Sequence, residues 1–368
     1  MPVGGPAAAF PAEPVCEWLD HQGILLARPV TVELISGGRS NLTYSLEGAD
    51  GKRLVLRRPP FDGVLETAHD MSREWRFMHA LGATPVPVPD VMVRTDEPEP
   101  LGAPFYVMSF VDGTVLHDAA AAVALPAHAR VRAAASLMET MASLHEVDID
   151  AVGLADIGRR EDYIPRQLRR WKRQWDQSKS GDIAGVDAAH ALLSRQIPPQ
   201  TRTGIVHGDF RLGNMICGPD GTIRAVLDWE LATLGDPMAD LGWLLSSWVE
   251  PSEWVGDPTP GAPPSILPGF PSRDWMLERY ERAIAVDLSG IDFYIAFAHW
   301  RSACIGSGVL ARYEAGVMGA DGFNPVGLRE VIASRAQAAL DVLNRSGRRR
   351  GRVNAKPGTG LDQGSRQT

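Results

Sequence analysis

The 368-residue sequence predicts a two-lobe α+β fold, with a small β-rich N-terminal lobe and a larger helical C-terminal lobe. Alternating apolar and polar residues between positions 31 and 58 predict three strands, and APFYVMSFVDG, at 103–113, supplies another. From about residue 125 onward, helical patterns dominate. One polar hairpin, at 215–228, interrupts that helical series. These observations together define the predicted fold class.

Composition and local signals also predict how the chain is divided. The predicted segments are a flexible N-terminus (1–13), the N-lobe (14–108), a hinge (109–113), the helical C-lobe (114–345) and a disordered basic tail (346–368). The tail is predicted to be disordered because it has almost no apolar residues with which to build a core.

Bulk properties exclude several classes of protein. The net charge is 37 − 45 = −8, so no overall basic field would recruit nucleic acid or an anionic membrane. Three cysteines, few and far apart, argue against a disulfide framework or a zinc site. Neither a signal peptide nor a transmembrane run is apparent. We therefore expect a cytoplasmic protein, monomer or homodimer, with no nucleic acid or membrane partner.

The stretch IVHGDFRLGNMICGPDGTIRAVLDWE, at 205–230, places polar side chains around two short apolar runs. If these runs pair as a hairpin, Asn214 and Asp228 return to the same open end, and Asp209 lies on the loop that feeds it. A carboxylate and an amide oxygen suit Mg²⁺, and a second carboxylate can accept or orient a hydroxyl proton. Phosphoryl transfer requires these parts.

The same stretch resembles a known signature. HGDFRLGN, followed by the aspartate of LDWE, is similar to the H-G-D-x-x-x-x-N…D motif of aminoglycoside phosphotransferases and choline kinase-like small-molecule kinases. The resemblance implies a protein-kinase-like fold that uses ATP and Mg²⁺, with Asp209 as the catalytic base or orienting group. It also implies that Asn214 and Asp228 hold magnesium and that His207 supports the loop. DPMADLGW resembles the following helix, in which Asp240 would hydrogen-bond the catalytic-loop backbone.

The N-lobe contains a matching pair of charges. In LVLRRPP, strand alternation puts Val55 and Arg57 on one face. The resemblance implies that Arg57 contacts the nucleotide phosphates, where the family usually has lysine, and that Val55 packs against adenine. Glu74 lies on the apolar stripe of the next helix, with Met71 and Met78. A buried carboxylate needs a partner, and Arg57 is the natural candidate.

Two further segments resemble nucleotide-binding parts of the family. YVMSFVDG is similar to the hinge between the lobes, which implies that Met108 lies at the rear of the adenine pocket. The carbonyl of Ser109 and the N–H of Val111 would then read the adenine edge. ISGGRSN, which includes Ser40, would be the loop that covers the phosphates, although it lacks both G-x-G-x-x-G and the Walker A pattern.

Simpler interpretations compete with these functional ones. Asp209, Asn214 and Asp228 would, on the simpler view, be a polar cluster that caps a hairpin, and Arg57 and Glu74 would be solvated surface charges. The retention of the motif together with its flanking residues favours the functional interpretation. A metal-dependent phosphohydrolase would need more histidines nearby than the cluster contains.

The leading functional prediction is an ATP- and Mg²⁺-dependent kinase that phosphorylates a hydroxyl group of a small molecule. PGFPSRDWMLERY and DFYIAFAHWRSACIGSGVLARYEAG resemble the branch that includes the kinase-like domain fused to acyl-CoA dehydrogenases and its bacterial relatives. That resemblance implies a hydroxyacyl-CoA-like acceptor. The alternatives are an aminoglycoside-type antibiotic phosphotransferase and a non-catalytic, kinase-like nucleotide-binding module.

Overall fold

The computed structural model describes residues 10–37, 41–59, 71–97, 99–179, 181, 183–255, 261–316 and 324–354. The chain forms two compact units. The first unit comprises Met1–Tyr163 and Gln200–Leu288, and the second comprises Ile164–Pro199 and Ser289–Thr368. This division differs from a boundary at 109–113, because the N-lobe and the polar hairpin belong to the same unit.

The helices and strands of the described residues have the following bounds. The helices are α1 (Ala12–His21), α2 (Met71–Leu81), α3 (Ala119–Ala122), α4 (Ala127–Glu146), α5 (Tyr163–Ser178), α6 (Val186–Arg195), α7 (Met238–Ser247), α8 (Arg273–Ile284), α9 (Ile291–Glu314) and α10 (Pro325–Asn354). The strands are β1 (Thr31–Gly37), β2 (Leu42–Glu47), β3 (Arg53–Arg58), β4 (Val91–Thr95), β5 (Phe105–Ser109), β6 (Thr114–Val115), β7 (Gly204–Val206), β8 (Met215–Cys217), β9 (Ile223–Val226) and β10 (Thr233–Gly235).

The N-lobe is an antiparallel sheet of five strands in the order β1-β2-β3-β5-β4. Helix α1 covers one face of the sheet, where Val15 and Leu19 join the core cluster that contains Leu54 and Leu56 of β3. Because side chains alternate along a strand, Val55 and Arg57 point to the opposite face. Helix α1 starts at Ala12, inside the segment predicted to be flexible, since its apolar stripe docks on the sheet.

The polar hairpin forms from β8 and β9, with Met215 opposite Val226. Its turn is closed by a hydrogen bond of 2.8 Å from the N–H of Gly218 to the carbonyl of Thr222. At the open end, the N–H of Leu227 donates to the carbonyl of Asn214 over 2.8 Å. This pairing brings the residues on either side of the hairpin next to each other.

Gly221, in the hairpin turn, allows a direct test of how closely the turn packs. Its φ is +87°, and a Cβ placed there would lie 2.1 Å from the carbonyl oxygen of Ala129 in α4. We expect Gly221→Ala to destabilise the protein by about 2–4 kcal/mol, from left-handed backbone strain and overpacking together. Thermal unfolding would measure the loss.

The matched control for this prediction is Gly51→Ala. Gly51 has a similar φ of +80°, but nothing lies within 4 Å of the position that a Cβ would take there. It should therefore show only the backbone strain, about 1–2 kcal/mol. Equal losses of stability in the two variants would contradict the close packing of the hairpin turn on α4.

The second unit is helical. Helices α9 and α10 pack along each other, and α6 contacts both. The indole Nε1 of Trp300 in α9 donates to the carbonyl of Val186 in α6 over 3.1 Å, and the Arg301 guanidinium lies 5.1 Å from the Trp171 ring centre. Within the part of the chain that the structure describes, no helix is long and apolar enough to cross a bilayer.

The prediction of a disordered tail from residue 346 is wrong for its first nine residues. Helix α10 continues through them to Asn354, whereas 355–368 lie outside the described residues. The buried residues Ile332, Ala336, Ala339 and Leu343 dock this helix before the basic stretch begins. Once a helix is nucleated, arginine-rich sequence can extend it, because each added residue gains a backbone hydrogen bond.

Candidate active site

A buried carboxylate fixes the loop between β7 and β8. Asp240, in the first turn of α7, is fully buried. Its carboxylate accepts hydrogen bonds from the backbone N–H groups of His207, over 2.6 Å, and of Gly208, over 2.8 Å. A buried carboxylate with two backbone donors is well satisfied, and it holds the loop in one conformation. Asp240 thus makes the contact expected of it.

His207 connects the loop to the end of the hairpin. Its Nε2 lies 2.9 Å from the carbonyl oxygen of Leu227, to which it donates when Nδ1 accepts from the N–H of Asp209 over 3.2 Å. Leu227 immediately precedes Asp228, and its own N–H binds the carbonyl of Asn214. Three backbone segments, around residues 209, 214 and 228, are therefore tied together through one histidine and one peptide group.

The carboxylate of Asp209 is mostly buried, with 18% of its side chain exposed. Its Oδ1 accepts from the indole Nε1 of Trp243 over 2.6 Å, and its Oδ2 accepts from Asn214 Nδ2 over 2.8 Å. Arg211 Nε lies 3.2 Å from both oxygens. The structure thus brings Asp209 and Asn214 into direct contact and orients the carboxylate with three donors.

Asn214 and Asp228 have the chemistry expected of magnesium ligands. Asn214 Nδ2 donates to both the carbonyl oxygen and the carboxylate of Asp209, over 2.8 Å each, so Oδ1 is the atom left to bind a cation. Asp228 has a left-handed backbone, with φ 67° and ψ 59°, at the start of a 3₁₀ turn, Trp229–Leu231. Such strain in a non-glycine residue is typical of functional sites. An amide oxygen and a carboxylate are hard oxygen ligands that suit Mg²⁺.

Arg57 and Glu74 form the predicted ion pair, and the same guanidinium also reaches Asp228. Arg57 Nε lies 2.9 Å from Glu74 Oε2, without the alignment of a hydrogen bond, and Nη2 donates to Glu74 Oε1 over 3.3 Å. Nη2 also lies 2.9 Å from Asp228 Oδ1. The interpretation of Arg57 and Glu74 as solvated surface charges is wrong, because the side chains are only 15% and 2% exposed. A planar fork can bind two carboxylates at once, which a lysine ammonium does with less geometric control.

Neutral partners complete the surroundings of Glu74. The Tyr106 hydroxyl donates to Glu74 Oε2 and Asn41 Nδ2 donates to Oε1, over 2.8 Å each. Tyr106 also faces Arg57 across the β3–β5 ladder. Oxygens of Glu74, Asp228 and Glu230 all lie within 4.8 Å of one another, so the arginine compensates an acidic cluster.

The pKa values of this group reflect burial and mutual charge. Burial raises the pKa of Glu74, although Arg57 and the hydroxyl of Tyr106 oppose the shift. Burial alone would lower the pKa of Arg57, but the charges of Glu74, Tyr106 and Asp228 outweigh it and raise that pKa. Burial, followed by the charge of Glu74, raises the pKa of Tyr106. Arg57 therefore keeps its positive charge in spite of its burial.

Helix α2, which carries Glu74, is held against the segment that follows Asp228. Arg73 donates to the carbonyl of Ala232 from Nε, over 2.9 Å, and from Nη2, over 2.7 Å, and to the carbonyl of Ile157 from Nη1, over 2.9 Å. The rings of Phe77 and Trp229 stack with centroids 6.0 Å apart. These contacts fix the position of Glu74 relative to Asp228.

The residues predicted to contact adenine lie around β3 and β5. Val55 and Met108 face each other in the ladder, and both are buried. Ser109 uses its own N–H and hydroxyl to bind the backbone of Asp90. Val111 follows, half-buried, just beyond the strand. Their roles stay predictions, and Ser40 lies outside the described residues.

Sequence reasoning missed several residues of the site. Trp243 lies one helical turn after Asp240, on the α7 face that meets the loop, and this spacing is the signal that could have found it. Tyr106 is the cross-strand neighbour of Arg57, which the register of β3 and β5 would have revealed. For Asn41 and Arg73 the sequence offers no comparable signal, because their contacts join segments far apart in the chain.

A separate cavity of about 570 Å³ lies at the C-terminal end of α4 and contains none of the predicted site residues. It is lined by Ala83, Thr84, Pro85, Glu139, Ala142, Ser143, Glu146, Val147, Asp148, Val152, Ala283 and Ile284. The site is therefore defined by the polar network around Asp209 and Arg57, not by this cavity.

The small antiparallel lobe, the helical lobe and this polar network define a protein-kinase-like phosphotransferase. The chain belongs to the phosphotransferase enzyme family, whose family model matches residues 31–257. The resemblance to aminoglycoside phosphotransferases and choline kinase-like proteins and the predicted fold class are both confirmed.

Individual relatives support the same family. A Ralstonia eutropha protein provisionally described as an aminoglycoside phosphotransferase has a similar structure, with a TM-score of 0.75 and 30% identity, covering 91% of this chain and 99% of that one. Aminoglycoside phosphotransferase APH(4)-Ia, solved with ADP and hygromycin B, shares the fold, with a TM-score of 0.57 and 17% identity over 90% of this chain and 97% of that one.

Curated relatives carry a different name. Acyl-CoA dehydrogenase family member 10 of Mus musculus is 34% identical over 301 residues, 78% of this chain but 27% of that protein. A probable acyl-CoA dehydrogenase of Arabidopsis thaliana, IBR3, is 35% identical over 302 residues, 76% of this chain and 36% of that protein. The chain thus spans about a third of the length of the curated relatives that it matches.

Proposed function

We propose that the chain is an ATP- and Mg²⁺-dependent kinase that transfers the γ-phosphoryl group to a hydroxyl of a small molecule. One observation carries the proposal. A continuous hydrogen-bonded network joins Asp209, Asn214 and the backbone that precedes Asp228, and Arg57 extends it to Glu74 in the N-lobe. A hairpin cap would need neither the left-handed Asp228 nor a cation delivered from another sheet.

Each residue of the network would have a distinct task. Asn214 and Asp228 would hold magnesium, which supplies charge neutralisation for the phosphates. Arg57 would brace the nucleotide, with Val55, Met108, Ser109 and Val111 at the adenine. Asp209 would orient the acceptor hydroxyl and accept its proton, while His207 and Asp240 keep the loop in place. Catalysis by such a site is mostly positioning and charge stabilisation, without a covalent intermediate.

The acceptor we propose is a hydroxyacyl-CoA or a similar anionic acyl ester. The names of the curated relatives support this choice, because proteins named as acyl-CoA dehydrogenases point to acyl-CoA esters as the class of substrate. The charge next to the catalytic carboxylate supports it as well. Arg211 lies against Asp209 with 42% of its side chain exposed. A cation at that position favours an anionic acceptor and disfavours a polycationic aminoglycoside.

An acceptor panel tests the proposal. Purified protein with ATP and Mg²⁺ is offered hydroxyacyl-CoA esters of short, medium and long chain, hygromycin B, choline and a water-only blank. ADP release and the phosphorylated product in the mass spectrum are measured. We expect acceptor-dependent ADP release with at least one hydroxyacyl-CoA ester and loss of that release on removing Mg²⁺ with EDTA.

The outcome of the panel separates the alternatives. Turnover of hygromycin B, with none of the CoA esters, would replace the acceptor proposal with the antibiotic phosphotransferase. No turnover of any acceptor, combined with ATP binding that is indifferent to Mg²⁺, would favour a nucleotide-binding module and overturn the kinase proposal. An ATP-dependent activity agrees with the cytoplasmic location that the sequence predicts.

A further inference from the structure

Both oxygens of the Asp209 carboxylate already accept hydrogen bonds. Oδ1 accepts from Trp243 and Arg211, and Oδ2 accepts from Asn214 and Arg211. A carboxylate offers about four lone-pair sites. The single proton of Arg211 Nε is shared between both oxygens, so a hydroxyl that Asp209 is to orient competes with this donor for either oxygen.

Arg211 is the donor that can leave most easily. Its two contacts, both 3.2 Å and from a single Nε, are longer than those of Trp243, 2.6 Å, and Asn214, 2.8 Å. Asn214 is buried, whereas 42% of the Arg211 side chain is exposed. Within the described ranges, neither Nη1 nor Nη2 of Arg211 has a hydrogen-bond acceptor. Four strong N–H donors are thus available to an incoming anion.

Gly213 makes room for the arginine in this position. A Cβ built on Gly213 would lie 2.3 Å from Arg211 Nη1 and 3.1 Å from Cζ. The guanidinium thus occupies the space that a side chain would take at residue 213. The obstacle is the far end of a flexible side chain, so an alanine there would push the guanidinium aside without moving the backbone.

We propose that Arg211 blocks Asp209 until the acceptor binds. The acceptor hydroxyl takes the place of Nε on the carboxylate, and the guanidinium turns to an anionic group of the acceptor itself, to which its Nη1 and Nη2 bind. Arg211 is therefore a positioning residue that discriminates against water. This inference rests on the proposed kinase function, because it concerns the same carboxylate.

The reaction that this block suppresses is hydrolysis of ATP. In that reaction the water oxygen forms a bond to the γ-phosphorus as the bond from phosphorus to the β,γ-bridging oxygen breaks. The electron pair leaves on ADP, and the water proton passes to Asp209 and then to the released phosphate. Water carries no anionic group that would draw Arg211 away, so it competes poorly for the blocked carboxylate.

Two variants release the block in different ways. Arg211→Met removes the donor, and Gly213→Ala displaces the guanidinium but keeps its charge. ADP release from ATP and Mg²⁺ is measured without any acceptor. We expect both variants to raise hydrolysis roughly tenfold, the factor gained when a minor open state becomes dominant. Adding Asp209→Asn to either variant should abolish the gain.

The control is Arg282→Met, which removes an exposed arginine of α8 that pairs with Glu278 on the same helix. It should hydrolyse ATP at the wild-type rate. Unchanged or slower hydrolysis in both Arg211→Met and Gly213→Ala would overturn the proposed block. Failure of the kinase proposal would look different, because the wild-type protein would then show no Mg²⁺-dependent ATP binding in calorimetry.

A spectroscopic measurement tests the contact without any catalysis. The indole N–H signal of Trp243 is assigned in a ¹⁵N-tryptophan spectrum as the one missing in Trp243→Phe. In Arg211→Met, Oδ1 of Asp209 accepts one hydrogen bond fewer. The remaining hydrogen bond from Trp243 therefore strengthens, and its indole proton signal moves downfield. Arg282→Met should leave the signal in place. A Trp243 signal that is the same in Arg211→Met as in the wild type would contradict the shared carboxylate.

Discussion

Asp209→Asn should lower kcat for phosphorylation of the best acceptor by about two to four orders of magnitude. Asparagine cannot accept the hydroxyl proton. Its amide would also direct N–H groups towards either Trp243 Nε1 or Asn214 Nδ2, both of which donate to Asp209. The KM for ATP should change little, because the nucleotide is assigned to other residues. Steady-state kinetics of ADP release measure both constants.

Asp220→Asn is the matched control for this prediction. Asp220 is an exposed acid in the turn of the same hairpin, where it accepts from Thr222. The same chemical change at this position should leave kcat near the wild-type value. A loss of less than about tenfold in Asp209→Asn, with the fold intact by circular dichroism, would remove Asp209 from the role of catalytic base.

Arg57→Met should destabilise the protein by about 3–5 kcal/mol and abolish turnover. The change leaves the Glu74 carboxylate, which is almost fully buried, with only the neutral donors Tyr106 and Asn41. Removing one member of a buried ion pair lowers the free energy of unfolding strongly, because the remaining buried charge is no longer neutralised. Urea unfolding of the two proteins measures the difference.

The double variant Arg57→Met/Glu74→Gln separates stability from function. Glutamine removes the uncompensated charge and still accepts from Tyr106, so most of the lost stability should return. Turnover should stay absent, because the cation predicted to brace the nucleotide is missing. A double variant that is no more stable than Arg57→Met would contradict the assignment of the loss to the charge of Glu74.

The pH dependence of Arg57→Met follows from the same carboxylate. Burial raises the pKa of Glu74 in the folded protein, and the variant lacks the arginine that opposes this shift. An unperturbed glutamate in the unfolded chain has a pKa of about 4.3. Above that pH, the folded variant therefore holds the Glu74 proton more tightly than the unfolded chain does. Stability falls as pH rises in that range. Arg57→Met should be more stable at pH 5 than at pH 8, and the double variant should lose this difference.

Much of the site could be predicted because its parts are close together in sequence. Asp209, Asn214 and Asp228 belong to one loop and hairpin, and Gly218 to Gly221 supply the turn that returns the chain. Arg57 and Glu74 could be paired because a buried acid needs a compensating cation. In each case one local pattern was sufficient to predict the contact.

The contacts that could not be predicted depend on tertiary packing. The Trp243 hydrogen bond requires the exact rotation of α7 beneath the loop, and the Arg73 bonds require α2 to meet the segment around residue 232. Helix α10 extends beyond the predicted boundary because composition records the lack of apolar residues, not the docked helix from which the chain continues.

The three hydrogen bonds from Arg73 to main-chain carbonyls hold helix α2 in place within the first unit. Swinging α2 outward would break all of them, unstack Phe77 from Trp229 and separate Glu74 from Arg57 in one movement. Because all of these contacts break together, a partly displaced helix α2 would lose their stabilisation without forming new contacts in return. Helix α2 is therefore expected to keep one position in the first unit, and to leave it only in a single cooperative step.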